Sequence, residues 1–335
     1  MALIQTIGER TYTYSHCVGS LFAFTAPTDL VLGAKGVVYA PSRGADPGYP
    51  LGGRQRWTKW DLEEDVKIVD AGDQGSNDGE LLWPTALDLG PDGNVYITDE
   101  YLNRVSIFSD DGAYLRKWGT PGSGEGQLDG PTGMRFDGEG NVYIAESRNN
   151  RVQKFTADGK FLSTWGKAGS GPGEFNMPYG LHIDRHGDVF VADWGNDRVQ
   201  KFSPDGDLLA QFGSSGSGTG ELQRPTGLAT DKDGDVYVAD WGNNRVQVYD
   251  AEGEIITSFY GDARELSKSA TTFVSANSDF VKARKRADTS LEWAFRRPAA
   301  VAVNEDNQIL IIESISGRIQ IYQKEEDYLD PQFNL

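Results

Sequence analysis

NVYITDEYLNRVSIF (residues 94–108), NVYIAESRNNRVQKF (141–155), DVFVADWGNDRVQKF (188–202) and DVYVADWGNNRVQVY (235–249) stack on one another without a gap. Their arginines, Arg104, Arg151, Arg198 and Arg245, are 47 residues apart (151 − 104, 198 − 151, 245 − 198). The prolines Pro84, Pro131, Pro178 and Pro225, the glycines Gly93, Gly140, Gly187 and Gly234, and the aromatics Trp118, Trp165, Phe212 and Phe259 keep the same step. A fixed period without insertions means equal structural units. Within one unit, TGLATD, DVYVAD, RVQVYD and EIITSFY read as four strands joined by D-G, E-G and polar glycine turns, the pattern of antiparallel hairpins. A lone four-stranded unit cannot bury both faces, so the units are expected to close into a ring of blades.

Two weaker copies complete the count. One opens at Pro298 and carries QILIIESISGRIQIY; the other opens at Pro27 and carries GVVYAPS and, after an insertion, RWTKWD. The expectation is a single all-β domain over 1–335, a six-bladed β-propeller with blades starting near 27, 84, 131, 178, 225 and 298. Blade six stops after its third strand. The run Ile4-Gln5-Thr6-Ile7-Gly8 matches Leu162-Ser163-Thr164-Trp165-Gly166. Residues 1–8 are therefore expected to supply the missing fourth strand, which removes an exposed sheet edge.

The repeat P-T-G-L-A-x-D, G-x-V-Y-V-A-D, N-x-R-V-Q-V-Y resembles the NHL repeat, a β-propeller family. The resemblance covers nearly the whole chain, strongly in blades two to five and partially in one and six. It implies the same architecture as the period. It does not fix a function, since the family spans scaffold proteins, RNA binders and peptidyl-hydroxyglycine amidating lyases. The lyase branch holds zinc with channel histidines, one of them directly after a strand-opening proline. The matching positions here are Thr28, Thr85, Thr132, Tyr179, Thr226 and Ala299, so the resemblance does not carry lyase activity over. The RNA-binding branch uses a basic top face.

Composition narrows the partners. With 32 basic and 50 acidic residues the net charge is −18, which repels phosphate backbones and anionic lipid. Nucleic acid and membrane are not expected partners. The single cysteine, Cys17, excludes an internal disulfide, and MALIQTIGERTYTY has no basic region followed by an apolar core. With Met1 as the natural start, a cytoplasmic protein is expected.

Some repeat residues imitate catalytic groups. Asp99 with Arg104, Glu146 with Arg151, Asp193 with Arg198, Asp240 with Arg245 and Glu313 with Arg318 recur at a spacing of five. A reaction needs such a pair once, so these read as structural ion pairs; blade one has Ser42 and Arg56 instead. The stretches GTPGSGEGQLDGP, GKAGSGPGEFNMP and GSSGSGTGELQRP each precede a strand rather than a helix, so they read as blade connections and not phosphate loops.

Function is sought where the repeats disagree. We call top the face carrying the blade-to-blade loops and the loops between second and third strands. Three insertions fall there: about nine residues near Arg43–Leu51, a long entry from Gly8 to Pro27, and 26 residues beyond the period between Pro225 and Pro298. The last, over 262–297, is expected to be partly helical. Leu266, Ala270, Phe273, Val274, Phe280 and Val281 fall near one helical stripe that ends in the basic run Lys282–Arg286. Four residues after the opening proline, where blades one, five and six carry Val31, Ala229 and Ala302, blades two, three and four carry Asp88, Arg135 and His182. These three are expected in the upper half of the channel, as an anion site or as candidate catalytic groups. Trp83, Tyr179, Arg224 and Arg297, each next to an opening proline, complete the candidate ligand-binding set. No cofactor is expected, but His16, Cys17 and His182 form a weak candidate zinc set, while His186 reads as a solvated residue of a bottom turn. Two functions stay open: a binding or scaffold module that engages a protein partner or a small ligand, anionic or not, through its top face and channel mouth, and a hydrolase or lyase, with or without a metal, in the channel mouth.

Overall fold

The computed structural model describes residues 4–7, 10–20, 23–44, 54–289 and 292–325. It is a six-bladed β-propeller. Blades two to five are four-stranded antiparallel sheets whose inner strands are Pro84–Leu89, Pro131–Phe136, Pro178–Ile183 and Pro225–Thr230. Blade one is built from Val31–Leu32, Val37–Ser42, Arg56–Asp61 and Val66–Ala71. Each inner strand starts beside the loop between the second and third strands, with Pro84 opposite Asp99, and ends at a tight turn, with Leu89 opposite Val95. The opening prolines therefore ring the top, and the D-G turns face the bottom.

Closure uses the N-terminus, but a different segment from the one expected. Strand β2 (Arg10–Gly19) pairs antiparallel with Arg318–Glu325 and is the fourth strand of blade six. Strand β1 (Ile4–Ile7) pairs with β2 and forms a fifth, outermost strand. The matching sequences IQTIG and LSTWG thus occupy different places. The equivalent of Gly166 is Gly19. A Cβ on Gly166 would lie 2.5 Å from the Phe175 ring, and one on Gly19 would lie 2.9 Å from Phe24. The long entry to blade one shrinks accordingly, because most of it is β2.

The core lies in the seams between blades. Side chains alternate between the two faces of every strand, so each blade contributes one apolar face to either neighbour. The fourth-strand aromatic of one blade packs on the third strand of the next: Trp118 on Phe155 at 5.2 Å, Trp165 on Phe202 at 6.1 Å, Phe212 on Tyr249 at 6.1 Å, and Phe259 stacked on Tyr322 at 4.8 Å.

The acid–arginine pairs hold the top loops. Arg151, Arg198, Arg245 and Arg318 meet Glu146, Asp193, Asp240 and Glu313 at 2.6–2.9 Å. Their outer nitrogens reach carbonyls of the incoming blade connection, as Arg198 does with Gly171 and Glu174. Blade two departs from the expectation. Asp99 accepts four backbone N–H groups, from Leu82, Trp83, Tyr101 and Leu102, and Arg104 bonds only carbonyls of Ser76, Asn77 and Glu80. In blades three and four an Asn and a Gln brace the acid, as Asn149 and Gln153 do for Glu146, and in blade five Asn243 braces Asp240. Blade two has Leu102 and Ser106 there, and both Arg104 Nε and Ser106 Oγ are left buried without a partner. In blade one Ser42 lies opposite Arg56, which pairs with Asp70 at 3.2 Å.

The long insertion folds into α1 (Lys268–Ser275) and α2 (Ser278–Arg286), capped by Ser267 and Asn277. Neither helix has a buried residue, and Phe273 and Phe280 stack at 5.2 Å. Of the blade-one insertion, Arg43 and Gly44 are described; residues 45–53 lie outside the described residues.

Candidate functional site

The axial channel is pinched near its top. Thr28, Thr132 and Thr226, each just after an opening proline, donate Oγ1–H to the proline carbonyl of the next blade, Pro84, Pro178 and Pro298, at 3.0–3.4 Å. One residue further on, Gly133, Gly180 and Gly227 let the inner strands of blades three to six close up, for a Cβ on Gly180 would lie 1.8 Å from the Thr226 carbonyl oxygen. Only about 10 Å³ remains open at this level. The channel is thereby divided into a mouth above and a cavity of about 200 Å³ below.

Asp88, Arg135 and His182 line the lower cavity, not the upper half of the channel. Strand direction explains this. They are the fifth residues of strands that start at the top, so His182 lies opposite Phe190, beside the bottom turn. Arg135 reaches across blade two to Asp29 of blade one and makes a bidentate pair, Nη1 to Oδ2 at 2.8 Å and Nη2 to Oδ1 at 2.7 Å. It also donates to the carbonyls of Met134 and Leu87. Arg135 and Asp29 line the pinch as well. Asp88 and His182 share a different role. Asp88 Oδ2 accepts the N–H of Phe136 at 2.7 Å, and His182 Nε2 accepts the N–H of Thr230 at 3.2 Å, with Thr230 Oγ1 2.9 Å away. Each thus bonds the inner strand of the next blade. An Nε2 that accepts a backbone N–H carries no proton, so the tautomer is Nδ1–H. Burial, and then Arg135, push the imidazole down to about 3, which keeps it neutral. Burial pushes Asp88 up to about 6 against the pull of Arg135.

The metal set does not assemble. His16 and Cys17 lie on β2 at the outside of blade six, not on a loop entering blade one, and His182 lines the channel in blade four. His16 Nδ1 is 2.8 Å from Ser15 Oγ, and buried Cys17 donates to the Glu265 carbonyl at 3.4 Å. His186 is exposed in the bottom turn beside Arg185. Among the described residues no three His, Cys, Asp or Glu side chains converge to hold an ion. In the channel, a cation on Asp29 would have to displace the Arg135 guanidinium. The described residues of the channel therefore do not fit a bound metal.

The mouth holds a second, unforeseen pattern. Two repeat positions meet there across three of the seams: the residue after the second-strand acid, and the residue before the next opening proline. In blade four Trp194 occupies the first and Arg224 the second, with the guanidinium 4.8 Å from the indole centroid. Trp241 and Arg297 repeat the arrangement one seam on, at 3.9 Å. The seam between blades one and two reverses it, with Arg43 5.0 Å from the Trp83 ring. Local structure presents these groups. Trp194 and Trp241 start one-turn 3₁₀ segments, Trp194–Asn196 and Trp241–Asn243, whose Asn196 and Asn243 bond the strand-end aspartates. Asp197 and Asn244 accept the N–H of Arg224 and Arg297 at 2.8 and 2.9 Å. Both arginines sit at positive φ, 54° and 57°, which turns the side chains outward from the strand.

Arg224 and Arg297 are exposed, and neither has a carboxylate partner among the described residues. Arg43 is different. It donates to Glu100 at 2.5 Å and Thr85 at 2.9 Å, and lies 5.9 Å from the Tyr179 ring, with Nε buried and unpaired. Burial pushes the Tyr179 hydroxyl up while Arg43 pulls it back. Of the sequence candidates, then, Trp83, Tyr179, Arg224 and Arg297 gather at the mouth, and Asp88, Arg135 and His182 gather in the cavity below the pinch. Asp29, Arg43, Glu100, Trp194 and Trp241 were missed. Lining up the repeats at the residue after each second-strand acid, which gives Arg43, Glu100, Ser147, Trp194, Trp241 and Ser314, would have exposed most of them.

Known proteins supply the remaining context. The NHL repeat model matches residues 222–249, which span the end of the blade-four connection and three strands of blade five. No curated protein sequence matches. Among solved structures the chain is similar to a catalytically inactive virginiamycin B lyase from Staphylococcus aureus with quinupristin, at 14% identity and TM-score 0.56, covering 93% of this chain and 99% of that one. It is also similar to a streptogramin B lyase, at 11% identity and TM-score 0.57 over 96% and 100%. A Bacteroides thetaiotaomicron protein of unknown function matches at 17% identity and TM-score 0.61 over 95% and 77%. At such identities the likeness is one of fold. The model of the SMP-30/gluconolactonase/LRE-like region matches residues 9–217, more than half of the sequence, and so the chain belongs to that family.

Proposed function

We propose that the protein is a binding module that takes an anionic segment of a protein partner, or a small anionic ligand, at the channel mouth on its top face. The observation that carries this reading is the Arg–Trp pair placed at the same two repeat positions in three of the six seams. Two of these arginines lack a carboxylate partner among the described residues, although acids outnumber bases 50 to 32 in the chain. A guanidinium lying against an indole keeps its edge donors for a carboxylate or phosphate fork. Trp, Tyr and Arg are also the residue types that concentrate binding energy.

The enzyme reading has less behind it. The polar atoms of Asp88, Arg135 and His182 hold neighbouring blades together, and all three line the cavity below the pinch rather than the mouth. The test is a titration with hexaglutamate and with tripolyphosphate at low salt, followed by tryptophan fluorescence. The wild type should give a saturable change with at least one probe, weakening as salt rises. Replacing both Arg224 and Arg297 by Ala should weaken binding at least tenfold, since a charge-assisted hydrogen bond contributes about 1.5–3 kcal/mol. Unchanged affinity in that variant, or no response to either probe, would overturn the proposal.

A further inference from the structure

We propose that the lower cavity is a second ligand site, selective for a small monocationic amine with a compact apolar body. It is separate from the mouth and does not depend on the function assigned there.

The charge of the cavity decides its ligand. Three ionisable groups line it, Asp88, Arg135 and His182, and Asp29, which lines the pinch above, reaches Arg135. Asp29 and Arg135 neutralise each other in a bidentate pair. His182 is neutral, because Nε2 accepts the Thr230 N–H. Asp88 is left as one unbalanced carboxylate. Its oxygens take single N–H bonds from Leu89 and Phe136 and retain lone pairs for a further donor. Other carboxylates of the neighbouring bottom turns already have their cations: Asp137 has Lys154, Asp184 has Lys201 and Asp231 has Lys324. Among the described residues no lysine pairs with Asp88.

The walls decide the body. Leu30 and Val31 of blade one line the space beside Asp88, and Leu228, Ala229, Val301 and Ala302 of blades five and six line it across the axis. A space of about 200 Å³ can hold a compact organic molecule. A carboxylate on one wall and aliphatic groups on the other complement an ammonium with a short branched chain. An anion is repelled, and a neutral alcohol gains no ion pair.

Binding should follow the ionisation of Asp88. The groups acting on it are Arg135, which favours the anion, Asp29, which opposes it, and the N–H donors of Leu89 and Phe136. Burial outweighs them and sets the titration near 6. The anion is the binding form, so affinity should rise by about tenfold from pH 5 to pH 8 and then level off.

The experiment is isothermal titration calorimetry of the whole chain with isobutylammonium chloride, sodium isobutyrate, isobutanol and calcium chloride. The ammonium should bind, and the other three should not. Asp88→Asn should abolish binding. Ala302→Leu, which fills the cavity from blade six and leaves Asp88 untouched, should weaken it at least tenfold. The second variant keeps the test decisive should Asp88→Asn fail to fold. Replacing both Arg224 and Arg297 by Ala should leave the ammonium affinity unchanged, which separates this site from the mouth. Equal binding of isobutanol, a response to calcium alone, no binding of the ammonium, or ammonium binding that survives Ala302→Leu would each overturn the proposal.

Discussion

Asp29 is a short side chain at a position where blades three to five carry glycine, and it determines what Arg135 can do. A bidentate pair shielded from water makes each partner costly to remove alone, because the other charge is left buried. Arg135→Met should therefore destabilise the fold by about 3–5 kcal/mol. Asp29→Asn together with Arg135→Met should recover at least half of that loss. The introduced amide still offers its one oxygen to the N–H of either Leu30 or Leu87, which the carboxylate now bonds through separate oxygens. Urea midpoints of the two single variants and the double variant give the coupling directly. Additive losses would show that the pair is not a unit. The sequence marked Arg135 as unusual because a large polar group replaces a small one. Its partner was not legible, because Asp29 belongs to the weakest repeat and lies 106 residues away in the chain. Depth was misjudged for a simpler reason. Four residues of extended chain from Pro131 cover roughly 13 Å, enough to carry Arg135 past the middle of a six-residue strand.

At the scale of the strand, the inner ring shows why the top of the channel is narrow. Gly133, Gly180 and Gly227 are conformationally ordinary, yet each packs its Cα against the backbone of the following blade. Gly180→Ala forces Cβ onto the Thr226 carbonyl, and backbone cannot swing aside as a side chain can. A loss of about 1–3 kcal/mol, or more, is expected. Gly138→Ala is the control, since nothing lies within 4 Å of its new Cβ; it should be neutral or slightly stabilising. Thermal melts of the two variants check this, and equal behaviour would mean that the ring can breathe. The strands themselves were readable, because the period, the turn glycines and the alternation all point the same way. The ion-pair ladder was readable only as a pattern. Its failure in blade two depends on Leu102 and Ser106, which carry no signal until the Asn and Gln that brace the other acids are seen in place.

For the whole molecule, ring closure is the step on which everything else depends. Two cations clamp it. Arg10, at the start of β2, makes a bidentate pair with Asp235 at 2.6 and 2.7 Å. Lys324, near the end of the third strand of blade six, reaches Asp231, Asp233 and Asp235 at 2.5–2.9 Å. Both land on the bottom turn of blade five, so β2 and the last strand, Arg318–Glu325, are fastened to the same neighbour as well as to each other. The sequence correctly assigned closure to the N-terminus, because blade six lacks a fourth strand. It pointed to the wrong residues, because IQTIG copies the local pattern of a fourth strand while the glycine that matters is Gly19. The two assignments predict different truncations. Removing residues 1–8 takes away only the outermost strand, leaves the pairing of β2 with Arg318–Glu325 intact, and should cost little, about 1 kcal/mol or less, as at other sites away from the core. Removing residues 1–19 takes away β2, the Arg10 clamp and buried Tyr12, which packs edge-on against Phe259 at 5.1 Å. That deletion uncovers the edge of Arg318–Glu325 and should give an aggregating or unfolded protein. Thermal melting with size-exclusion chromatography distinguishes the outcomes. If the shorter deletion proves as damaging as the longer one, β1 rather than β2 is the strand that closes the ring.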